Sequence, residues 1–264
     1  MADTIKLVEY SCAERIATVA LNRPEKLNAF TDCLTRELAS ALQRFDQDGS
    51  ADLAILCGNG RAFSSGADVQ QEQLLDRQAL ERSRDPMGRG HPFAELLRRC
   101  EHWKPVIAAV HGYVLGMALG LALECDLVVA EEGTQFQITE TPRGLGGYRH
   151  WALLKARGAA AFADEVSLTG RFFSAEEARA AGIVSRLAPR AMARAVAAEL
   201  AAEIVKNPPL GVRETVRIRR WHTSRLADEV AVQTEGLKLH LTVDFGEAVR
   251  AFAEKRKPGP FKAK

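Results

Sequence analysis

The chain has 264 residues, of which 47% are hydrophobic and 27% charged. That balance excludes a disordered or low-complexity polypeptide, and the length is enough to bury a large core. Thirty-six basic against 34 acidic side chains leave a net charge of +2, which gives no footprint for nucleic acid or an anionic membrane surface.

The opening run MADTIKLVEY has no basic or apolar leader segment, so no secretory signal is expected. Residues 5–21 alternate and are rich in β-branched side chains, which predicts a hairpin turning at residues 11–14. Thr31 then precedes an apolar stripe of Leu34, Leu38, Ala41, Leu42 and Phe45, the pattern of a capped helix. Short apolar runs at 53–57, 106–110 and 127–130, each bounded by Gly, Pro or charge, read as buried strands. Strands alternating with helices predict an α/β fold with parallel pairing.

The apolar stretch from 106 to 123 is broken by glycines and ends on Glu124 and Asp126, so it reads as core and not as a membrane span. Residues 70–100 are polar and Arg-rich, with Asp85-Pro86 and Gly88 to Gly90 among them, and are expected to form a mobile stretch that could cover a pocket. Five cysteines (Cys12, Cys33, Cys57, Cys100, Cys125) show no CxxC spacing. Neither disulfides nor a metal site is expected, and the compartment that fits is the cytoplasm.

The second half is mostly helical. Ser174 and Glu177 form a capping box, Gly182 stops that helix, and helices are expected over 190–206, 211–238 and 247–255. The change in character near residue 190 divides the chain into a core, 1–190, and a helical subdomain, 191–264.

Two segments place glycine where a strand gives way to a helix: RAFSSGAD at 61–68 and HGYVLGMALG at 111–120. Glycines here can be ordinary turn residues of an α/β protein. They can also turn backbone N–H groups outward at a helix start, where negative charge is favoured.

The run LNRPEKLNAF at 21–30, together with 61–68, KPVIAAVHG at 104–112, ECDLVVA at 124–130, residues 136–140 and AEKRK at 253–257, resembles the crotonase superfamily, the enoyl-CoA hydratase/isomerase family. The motifs occur in the family's order over essentially the whole chain. The resemblance implies a spiral of ββα turns with a helical C-terminal trimerisation region, assembled as a trimer or a dimer of trimers. It implies an acyl-CoA thioester as substrate and partner, with coenzyme A entering as part of the substrate and no separate cofactor.

Residue by residue, the resemblance assigns the thioester oxygen to the backbone N–H groups of Ala67 and Met117, which follow Gly66 and Gly116. Each such donor typically supplies roughly 2.7–4 kcal/mol of barrier reduction. Lys26, Leu27, Ala29, Ser65, Gly66, Asp68, Val69, Tyr113, Leu115, Gly116, Thr139, Phe252 and Lys255 match positions that surround coenzyme A or the acyl group. A solvated basic end would equally account for the residues around Lys255.

Family hydratases use two glutamates. The later one matches Glu140, but the earlier falls at Gly120, and Glu124 lies a further helical turn away. One carboxylate suits a proton shuttle, so double-bond isomerisation is expected with Glu140 as the acid/base, a role that an apolar surround would favour. Hydration by Glu140 alone, thioester hydrolysis and non-catalytic acyl-CoA binding are the alternatives. A second departure follows Glu140, where a short loop runs into Tyr148, Arg149, His150 and Trp151. His150 could be a second proton carrier, although such a histidine is more often structural.

Overall fold

Leu53, Ile55 and Cys57 face one apolar cluster while Ala54 and Leu56 face another, and the same division runs through the strands beside them. A strand buried on both faces belongs to a sheet covered by helices on each side. The computed structural model describes residues 6–74, 77–83, 97, 100–234 and 238–264.

Strands β1 (Val8–Ala13) and β2 (Ile16–Leu21) form an antiparallel hairpin. Strands β3 (Leu53–Gly58), β4 (Val106–Val110), β6 (Leu127–Glu131) and β9 (Arg186–Ala188) continue from β2 in parallel, in the order β1-β2-β3-β4-β6-β9. A smaller sheet holds β5 (Tyr113–Leu115), β7 (Gln135–Gln137) and β8 (Phe173–Ser174).

The two sheets grow together. Strand β3 is followed by Ser64, which bridges to Val114, and then by helix α2 (Val69–Glu72). Helix α3 (Arg77–Ser83) comes next. Strand β4 is followed by β5 and helix α4 (Met117–Glu124). Strand β6 is followed by β7, the helical turn Thr141–Arg143 and helix α5 (Tyr148–Ala156). Each circuit adds a strand to the large sheet, a short pairing to the small one and a helix, which is the ββα spiral.

Helix α1 (Asp32–Gln47) starts where Thr31 Oγ1 accepts the Leu34 N–H, and it buries Leu34, Leu38, Leu42 and Phe45. After α6 (Ala160–Thr169) and α7 (Ala175–Ala180), helix α8 (Ala193–Ile204) covers the opposite face of the large sheet. Its Ala193, Ala197 and Ala201 recur every four residues, so the fully buried stripe of the helix carries methyl groups and clusters with Ile55, Ile107 and Val129, flanked by Val196, Leu200 and Ile204. The change near residue 190 is therefore one of secondary structure, because the first helix beyond it completes the packing of the sheet.

Helix α9 (Pro209–Thr234) packs on α5, and α10 (Val243–Ala253) buries Phe245, Ala248, Val249 and Ala251. Asp126 ties α9 to the starts of β4 and β6. It accepts the Val106 N–H at 2.7 Å and pairs with both Arg219 and Arg220. Arg220 also donates to the Lys104 carbonyl at 3.0 Å.

Two expectations shift. The hairpin turns at Glu14 and Arg15, both with positive φ, at the end of the expected 11–14 and one residue beyond it. Two consecutive left-handed residues match the twist of a two-residue hairpin, a geometry usually signalled by Asn or Gly. The last helix begins at Val243, earlier than 247, because Thr242 caps it by accepting the Phe245 N–H. Of the expected cover segment at 70–100, the part holding Asp85-Pro86 and Gly88 to Gly90 lies outside the described residues.

Candidate active site

The first glycine turn is held from below by Asn28 and Ser64, both fully buried. The Asn28 amide donates to the carbonyls of Asn59 and Ala62, each at 2.9 Å, and accepts the Arg23 N–H at 2.8 Å. Ser64 Oγ donates to the Asn28 carbonyl and accepts the Gly66 N–H at 3.1 Å. Gly66 has φ +87°, and a β-carbon there would stand 2.5 Å from the Leu115 carbonyl oxygen and 3.6 Å from Met117 N. No other residue fits that position, and its closeness brings the Ala67 turn against the start of α4.

The second turn mirrors the first. Gly116 has φ +50°, and its N–H donates to the Gln137 carbonyl at 2.9 Å. A β-carbon on Gly116 would lie 2.3 Å from Thr139 Oγ1 and 3.2 and 3.6 Å from the two Glu140 carboxylate oxygens. The Glu140 carboxylate thus sits directly over the peptide that carries the Met117 N–H. Among the described residues, neither the Ala67 nor the Met117 N–H has a hydrogen-bond acceptor, and Met117 is the first residue of α4.

Gly120, one turn into α4, faces His150. A β-carbon there would stand 3.3 Å from the ring's Nε2. The ring is 6% exposed, with Nε2 2.9 Å from the Gly116 carbonyl oxygen and Nδ1 3.8 Å from Glu140 Oε2. Glu124 instead pairs with Arg149 at the far end of α4. The Glu140 surround is more polar than the apolar one expected, since Thr139 Oγ1 lies 3.5 Å away and the imidazole closes the other side.

An open cleft of about 580 Å³ lies outside these turns. Lys26, Ala29, Ser65, Ala67, Asp68, Val69, Leu115, Thr139 and Phe252 line it. Leu27 lies behind the wall, its carbonyl accepting the Ser65 N–H at 2.9 Å. Tyr113 is 44% exposed and does not line the cleft, while its carbonyl accepts the Ser64 N–H at 3.1 Å. Lys255 is exposed just past α10, outside the lining.

The cleft also takes in residues that the motifs did not single out. Arg23 pairs with Asp68 at 2.9 Å and fixes that wall. Gln137 holds the Gly170 carbonyl at 2.7 Å. Arg143 stacks over the Phe252 ring at 4.3 Å. Burial lowers the pKa of the Arg143 guanidinium, and the Glu140 carboxylate works against that shift. Its position three residues after Glu140, on the same helical turn, was the available signal.

Ala67, with its free N–H, lines this cleft, while the Met117 N–H and the Glu140 carboxylate lie behind the lining, next to Leu115 and Thr139 at the two glycine turns. Such a site can hold a carbonyl oxygen that is gaining charge while the carboxylate removes a proton from the adjacent carbon. Among the described residues no group of three or more His, Cys, Asp or Glu is placed to hold a metal ion, and no helix is long and apolar enough to cross a membrane.

Residues 11–264 match the family model described as enoyl-CoA hydratase/isomerase. The chain is 33% identical over 249 residues to a mevalonyl-coenzyme A hydratase of Aspergillus fumigatus, covering 92% of this chain and 90% of that one. It is 31% identical over 258 residues to the 2,3-dehydroadipyl-CoA hydratase of Escherichia coli, covering 93% and 94%. Among solved structures, an enoyl-CoA hydratase/isomerase from Pseudoalteromonas atlantica superposes with a TM-score of 0.80 at 27% identity, covering 97% of this chain and 100% of that one.

Proposed function

The chain belongs to the enoyl-CoA hydratase/isomerase family of the crotonase superfamily, and on that premise we propose that it isomerises the double bond of an enoyl-CoA, with Glu140 as the proton carrier. The observation that carries this reading is the exchange at Gly120. The position that matches the family's first catalytic glutamate has no side chain, and an imidazole fills the space beside it. Glu140 is then the carboxylate at the two backbone donors.

The thioester oxygen sits between the N–H groups of Ala67 and Met117. The Glu140 carboxylate takes a proton from the carbon next to the thioester of a 3-enoyl-CoA, and the electron pair passes to the oxygen as an enolate. The same proton returns at the γ carbon, the double bond moves to the 2-position, and Glu140 is a carboxylate again. Preorganised backbone donors need no rearrangement as the charge develops, which is why they outperform water.

Coenzyme A lies along the cleft past Ala29, Ser65 and Val69, with Lys26 and Arg143 as nearby cations and Phe252 at the outer wall. Exposed Leu210, Ile218 and Trp221 on α9 support self-association, which we take to be a trimer or a dimer of trimers.

A hydratase reading has its own support, because both quoted curated relatives are named as hydratases. It asks Glu140 alone to deprotonate the water. Purified protein offered 3-enoyl-CoA and 2-enoyl-CoA in parallel separates the two. Conversion of the 3-enoyl thioester without formation of a 3-hydroxyacyl product is expected. Hydration of the 2-enoyl thioester with no isomerisation overturns the isomerase reading.

A further inference from the structure

His150 touches both halves of the site. A carbonyl oxygen only accepts, so the 2.9 Å contact to Gly116 O requires the hydrogen on Nε2. In the neutral tautomer that carries this hydrogen, the lone pair of Nδ1 faces Glu140 Oε2, 3.8 Å away. The Gly116 carbonyl and the Met117 N–H belong to one planar peptide group. A donor on the carbonyl end polarises that group and makes its N–H a stronger donor at the other end.

The ring's orientation is built in. It is buried, it leaves 3.3 Å to the β-carbon position of Gly120, and helix α5 carries it there. A larger residue at 120 would displace it. The missing side chain and the histidine therefore form one arrangement.

We propose that His150 is a positioning residue that polarises the Gly116–Met117 peptide toward the substrate oxygen and shares a proton with Glu140. The inference rests on the reading of Glu140 and the two backbone donors given above. When Glu140 holds the abstracted proton, Nδ1 accepts a hydrogen bond from the carboxylic acid. When Glu140 is a carboxylate, the ring leaves it free to accept. The 3.8 Å separation is longer than a hydrogen bond, and such contacts in unliganded enzymes tighten when the reactants are bound.

Substitution separates the two contacts. In His150→Gln the amide nitrogen can replace Nε2 at the Gly116 carbonyl, leaving nothing opposite Glu140. In His150→Asn the amide reaches the Nδ1 position but not Gly116. His150→Phe keeps the shape and loses both.

The probe is 2-butenoyl-CoA labelled with carbon-13 at the thioester carbonyl, bound to the full-length protein and read by difference infrared spectroscopy alongside kcat and KM. The carbonyl band is expected to shift to low frequency in the wild type and His150→Gln, and to lose most of that shift in His150→Asn and His150→Phe. KM is expected to hold while kcat falls about 10- to 100-fold in each variant.

A wild-type band in His150→Phe overturns the proposal. So does a loss in His150→Phe that His150→Gln fails to restore. Failure of the wild-type protein to bind or polarise the thioester overturns the reading of the site itself, and the proposal with it.

Discussion

The Nε2 of His150 lies 3.3 Å from the position a β-carbon on Gly120 would occupy. A glutamate restored at 120 therefore meets an occupied space. Gly120→Glu is expected to destabilise the fold by about 1–3 kcal/mol through overpacking, and to disturb the Gly116 carbonyl contact. With His150→Ala in the same chain the ring is gone, and the new carboxylate has room beside Glu140. The double variant should recover stability and add water to a 2-enoyl-CoA faster than His150→Ala alone. Denaturant melts and a hydration assay check this, and a Gly120→Glu single variant as stable as the wild type contradicts it.

Asp126 is expected to anchor α9. Burial alone would raise its pKa, but the Arg220 and Arg219 guanidiniums outweigh that and hold the carboxyl below the ordinary value of 3.8. An acid depressed in the folded state contributes stability above its unfolded pKa and loses it as the pH falls through the folded value. Asp126→Asn leaves Arg220 buried without a counter-charge and should cost about 3–5 kcal/mol at neutral pH. Urea melts of both proteins should converge on acidification below 3.8. A gap of constant size would contradict the account.

The thiols should divide by burial. Burial, with Asp126 adding to it, pushes Cys125 up to about 12, and burial also raises Cys57. Cys33 is exposed on α1. Iodoacetamide at about pH 8 should alkylate Cys33 and spare Cys57 and Cys125 until the protein is unfolded, as read by peptide mass mapping. Rapid native-state labelling of Cys125 would contradict this.

What could be read in advance follows the range over which each signal acts. Helix α1 was legible because its cap and stripe lie within sixteen residues. The capping box of Ser174 and Glu177 was legible for the same reason, and both of its bonds form. The parallel strands were legible from their short apolar runs, since both faces are buried. The two glycine turns and Glu140 could be placed because their motifs are long.

His150 could not be placed in that way. It lies thirty residues from Gly120, and its direction depends on how α5 packs on α4 after the Gly144–Gly147 loop. Arg23 and Gln137 lie inside the runs 21–30 and 136–140, but the motifs do not single them out. One follows β2 of the large sheet, the other belongs to β7 of the small one, and only the fold brings both to the cleft. The hairpin turn at Glu14 and Arg15 carries none of the residues that usually announce it.

The proposed isomerisation depends on one carboxylate, Glu140, to move the proton. The most direct measurement follows conversion of 3-hexenoyl-CoA to its 2-enoyl isomer by the wild type and by Glu140→Gln, with thioester affinity determined by calorimetry. A fall in kcat of about 10²- to 10⁴-fold is expected, with affinity held within about threefold. Turnover by Glu140→Gln at the wild-type rate would contradict it.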